Sequence, residues 1–200
     1  MNKNKSHVSG CGFSIFLVLF WCAPAMAQHA GGLGGSLNDA ASGKITHTII
    51  DRVARRRAEK KPGVKPAAKI NDASVRFRPT GTQLKTREIA NLIDAKNPQV
   101  LTILTTILTE FDKGARAAGH PNDLALALSF FFATNASVYH DAGEPADPPL
   151  LELRDTIAEA LVEDNALNGV TDRQKQEMYE TLVIYTEENL SAVQGQWESG

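Results

Sequence analysis

From Thr82 onward apolar positions recur three and four residues apart almost without interruption, which predicts five helices. The first spans about Thr82 to Lys96 and turns Leu84, Ile89, Leu92 and Ile93 inward. The second opens at Asn97-Pro98, a capping residue followed by proline at the first helical position, and closes at Gly119. Its apolar stripe is Val100, Ile103, Leu104, Ile107, Leu108 and Phe111. The fourth runs from about Pro149 to Leu167 with Leu150, Leu153, Ile157, Ala160 and Leu161 buried. The fifth opens on a capping box, Thr171 with Gln174, and continues towards Val193. Short connections between such helices predict an all-α, up-and-down bundle.

The third helix breaks the amphipathic pattern. Its sequence, "PNDLALALSFFFATNASVYHD" over residues 121–141, is apolar nearly all round from Leu124 to Ala133. A membrane span needs roughly 20 such residues, so this is the central helix of a bundle. Ala125, Ser129, Ala133 and Ser137 form a small-residue stripe where a neighbour can approach closely, and Leu124, Leu128, Phe131 and Val138 form the bulky face. At its start Asn122 is read as the cap, with Asp123 in the first turn complementing the helix dipole. The functional alternative is a polar site of His120, Asn122 and Asp123.

Upstream the pattern changes. "SVRFRPTGT" at residues 74–82 alternates Val75 and Phe77 with Arg76 and Arg78, and predicts an extended segment packed by one side on the bundle. Before it, residues 28–43 are glycine-rich and predict a flexible leader. Ile45, Ile49, Ile50 and Val53 then recur at near-helical spacing, a possible short amphipathic helix, before the breaker "PGVKPAAK". The first 27 residues read as a cleaved signal peptide, with Lys3 and Lys5, an apolar run from Phe13 to Trp21, and Ala25-Met26-Ala27 as the cleavage site. The expected organisation is therefore signal peptide 1–27, basic N-terminal segment 28–74 and helical domain 75–200.

Both cysteines, Cys11 and Cys22, fall in the signal segment, so no disulfide, zinc-thiolate or cysteine nucleophile is expected in the exported protein. Bulky Trp21 before Cys22 argues against lipid attachment there. Charge divides the remainder. Gln28 to Ala90 carries 13 Lys and Arg against 5 Asp and Glu, whereas Asn91 to Gly200 carries 6 against 18. Arg52, Arg55, Arg56, Arg57, Lys60 and Lys61 head a basic run from Arg52 to Lys69, which reads as a solvated linker, as a segment docked on the acidic bundle, or as the contact for an anionic partner such as an envelope component. Without interleaved aromatics, nucleic acid is not the expected partner.

Catalytic and metal patterns are missing from the sequence. His29, His47, His120 and His140 form no HExxH or Glu-x-x-His pair, and no GxSxG elbow or phosphate loop follows a strand, so no metal or cofactor is expected. Glu152, Asp155, Glu159 and Glu163 read as a solvated face, Arg173 and Glu177 as a surface pair, and Tyr139, Tyr179 and Tyr185 as half-buried residues with wet hydroxyls.

On "VRFRPTG", "AGHPNDLALALSFF" and "VTDRQKQEMYE", the chain resembles a family of uncharacterised exported bacterial proteins, a domain of unknown function, over about Val75 to Val193. The resemblance implies export and a helical domain and assigns no site. The expected function is a non-catalytic binding or structural module of the bacterial cell envelope. The alternatives are a small envelope hydrolase at the start of the third helix and an inhibitor or immunity-like partner of another exported protein.

Overall fold

A computed structural model describes residues 72–140 and 145–197. The expected signal peptide, the glycine-rich leader, the expected short amphipathic helix and the basic residues from Arg52 to Lys61 lie outside the described residues. After a single 3₁₀ turn, Asp72–Ser74, come five helices: α1, Thr86–Asp94; α2, Pro98–Ala117; α3, Leu124–Tyr139; α4, Asp147–Glu163; and α5, Asp172–Trp197. The fold is an all-α bundle, and no strand occurs among the described residues. In it, α3 packs on both α4 and α5, α2 on α5, and α1 on α2.

The local signals that set α2 and α5 act as expected. Asn97 accepts from the Gln99 amide at 3.0 Å and Pro98 follows it. Thr171 and Gln174 exchange bonds, the Thr171 amide donating to Oε1 at 3.0 Å and the Gln174 amide to Oγ1 at 3.3 Å. Helix α2 ends in a Schellman motif, with Gly119 at φ +82° donating to the Arg116 carbonyl and His120 donating to the Ala115 carbonyl. Helix α4 ends the same way with Asn165 in the left-handed position, φ +50°, which stops it at Glu163, short of Leu167.

One inward assignment changes. In α1 the buried face runs through Thr86, Ile89 and Ala90, while Leu92 is 56% exposed. At 100° per residue Leu92 lies about 110° from the centre of that face. The helix also starts at Thr86, because the backbone of residues 80–85 is held by α5: Thr80 N donates to Gln176, Thr82 O accepts from Gln176, and the Leu84 and Lys85 amides both donate to Glu180 at 2.7 Å. The tyrosines also separate, since Tyr139 is 84% exposed and Tyr179 only 3%. The Tyr179 hydroxyl donates to Asp112 Oδ1 at 2.6 Å.

The extended segment is a strap across the bundle. Val75 and Phe77 are buried and Arg78 faces solvent, as the alternation predicts. Its backbone pairs with the start of α3 through Phe77 N to Asn122 O and Leu124 N to Val75 O. Lys175 Nζ ties it to α5 by donating to the Ser74 carbonyl at 2.7 Å. Phe77 then joins an edge-on aromatic chain with Tyr179, centroids 5.2 Å apart, and Tyr179 with Phe111, 5.7 Å.

Candidate functional site

The Schellman turn at Gly119 delivers His120, Pro121, Asn122 and Asp123 to the start of α3, where strap, α3 and α4 meet. Asn122 takes φ +53°, a conformation that asparagine tolerates better than most side chains, and this displaces the cap by one residue. Asp123, not Asn122, caps the helix: its Oδ1 accepts from Leu126 N at 3.1 Å.

Asp123 has no exposed surface, and its second oxygen is used as well. Arg154 of α4, 2% exposed, donates to Asp123 Oδ2 from Nε at 3.0 Å and from Nη2. The same guanidinium lies 3.0 Å from Asp72 Oδ1 and donates to Asp155 at 2.8 Å. Burial works against charge on Arg154, but Asp123 first and hydrogen bonds to Asp155, Asp123 and Asp72 outweigh it, so its pKa is raised above the ordinary value. Arg76 of the strap adds a bond to the Gly119 carbonyl at 3.2 Å and lies 3.6 Å from Asp72.

His120 joins this cluster at its edge. Its Nδ1 is buried, 3.5 Å from Asp123 Oδ2, and makes no hydrogen bond. Ligand atoms of Asp72, His120 and Asp123 lie within 4.8 Å of one another, a spacing a metal ion accepts. Arg154 donates to Asp123 and lies against Asp72, however, so a guanidinium already supplies the positive charge the trio needs.

Of the three residues expected to share a site, the structure brings His120 and Asp123 together and separates Asn122. Asn122 lines a pocket of about 220 Å³ with Phe77, Asp112, Gln176, Tyr179 and Glu180. Sequence reading missed Asp72 and Arg154. For Arg154 a signal exists: it stands in the stripe Leu150, Ile157 and Leu161, where a buried charge demands a carboxylate. For Asp72, 51 positions before Asp123 in the numbering, none exists. Along α4, Glu152, Asp155 and Glu163 are exposed and Glu159 is half-buried, and Asp155 is the one that reaches the cluster.

Among the described residues no helix is long and apolar enough to cross a membrane. A protein-family model described as "Family of unknown function (DUF6683)" matches residues 44–193. The match begins well before Val75, so the basic run from Arg52 to Lys69 falls inside the family's span. No curated protein and no solved structure matches the chain.

Proposed function

We propose, for a chain that belongs to DUF6683, a family of unknown function, that it is an exported, non-catalytic binding or structural module of the bacterial cell envelope. One observation carries the non-catalytic reading. A hydrolytic site at the start of α3 needs a carboxylate or imidazole that can reach substrate. Asp123 is instead fully buried, capping α3 through one oxygen and paired with Arg154 through the other, and the Nδ1 of His120 is buried against that same carboxylate. That arrangement supports a fastening role, joining strap, α3 and α4.

The basic segment is the tether in this reading. Its six leading cations, Arg52, Arg55, Arg56, Arg57, Lys60 and Lys61, suit an anionic surface, each contributing about 1 kcal/mol near charged lipid. Sedimentation with vesicles of phosphatidylglycerol and phosphatidylethanolamine tests it. Residues 28–200 are expected to bind at low salt, to release as sodium chloride rises, and to lose binding when residues 44–70 are deleted. Undiminished binding by the deletion variant sinks the tether.

A further inference from the structure

The pocket beside the strap has a chemistry distinct from the cluster. Its lining includes two carboxylates, Asp112 and Glu180, and no lysine, arginine or histidine. Glu180 is committed, accepting the Leu84 and Lys85 amides and the Gln176 amide nitrogen. Asp112 is not. Its Oδ1 takes the Tyr179 hydroxyl, while its Oδ2 has Arg116 only at 4.0 Å, the outer limit of an ion pair, and the side chain is 33% exposed. Asn122 lies on the same wall.

The apolar part of the lining is aromatic. Phe77 and Tyr179 meet edge-on in its wall and give an alkyl stem an apolar surface to lie against. Tyr179 itself stays neutral, since burial and then Asp112 push its hydroxyl pKa well up. We infer that this pocket binds the cationic end of a ligand with an apolar stem, an alkylammonium or guanidinium group, with Asp112 as its counter-ion and the Asn122 side-chain carbonyl as a second acceptor. The volume of about 220 Å³ suits one such group rather than a whole cofactor. Anionic ligands are repelled by the lining charge. The inference does not rest on the tether, and loss of vesicle binding leaves it standing.

Amide NMR of the full mature chain titrated with n-butylammonium and n-butylguanidinium, with n-butanol as neutral control, tests this. Saturable shifts at Phe77, Asn122 and Tyr179 are expected with the cations and none with butanol. Asp112→Asn keeps an acceptor for the Tyr179 hydroxyl and is expected to weaken cation binding at least fivefold. Should that variant unfold, sodium chloride decides with the wild type: affinity falls with salt if Asp112 is the counter-ion. Equal shifts with butanol, unchanged affinity in Asp112→Asn, or salt-independent binding overturns the inference. Tighter binding of cadaverine than of blocked arginine amide assigns the site to an alkylammonium group, and the reverse assigns it to a guanidinium.

Discussion

Asp123, read from the sequence as a first-turn residue, caps α3 in the structure and takes a second role from Arg154. The carboxylate satisfies Leu126 N and a guanidinium at once, and neither partner has appreciable contact with water. Arg154→Leu strands a buried carboxylate and is expected to cost about 3–5 kcal/mol by urea unfolding. Asp123→Asn keeps the cap and is expected to cost less, about 2 kcal/mol. The double variant is expected to be more stable than the sum of the singles, because each removes the other's unpaired charge. Tyr179 carries the pH prediction. Burial, then Asp112, raises its pKa above the ordinary 10.0 in the folded state, so the folded chain holds the proton more tightly than the unfolded one. Its contribution is complete below pH 10 and is lost as pH rises from there towards the folded value, at about 1.4 kcal/mol per unit. Urea unfolding between pH 8 and 11 is expected to show this fall in the wild type relative to Tyr179→Phe, and parallel curves exclude it.

At the scale of elements, α1 depends on α5. Nine residues are too few for a stable helix alone, and Lys85 at its cap position makes no side-chain cap bond. Glu180 supplies the missing acceptor from the facing helix. Glu180→Ala is expected to raise hydrogen exchange at Leu84, Lys85 and the first turn of α1 at least tenfold, while α2 and α3 keep their protection. Uniform loss of protection contradicts a local cap. Helices α2 and α5 carry caps from their own sequence, and these were legible: Asn97-Pro98 and Thr171 with Gln174. The starts of α1 and α3 were not, since each depends on contacts outside its own turn. Glu180 sets the first, and the left-handed Asn122, whose carbonyl accepts from Phe77, moves the cap of the second to Asp123.

For the whole molecule, the strap integrates the bundle. Asp72 lies against Arg154, Phe77 fills the aromatic chain, and Lys175 and Gln176 of α5 hold strap carbonyls. A domain cut at Val75 therefore removes a partner of a buried cation. Comparing chains that begin at residue 70 and at residue 75, the shorter is expected to lose about 1–2 kcal/mol and to melt several degrees lower. Equal melting temperatures place Asp72 outside the cooperative unit.

Apolar periodicity alone determined the number and order of the helices, the buried centre at α3 and the one-sided packing of Val75 and Phe77. These follow from local geometry, because a residue's face on a helix or strand depends only on its spacing from its neighbours. Tertiary structure alone decided where the charges go. Arg154 meets Asp123 across 31 positions and Lys175 meets the Ser74 carbonyl across 101. Such pairings depend on which elements the core brings together, and the pocket that leaves Asp112 half-served forms only where strap, α2, α3 and α5 converge.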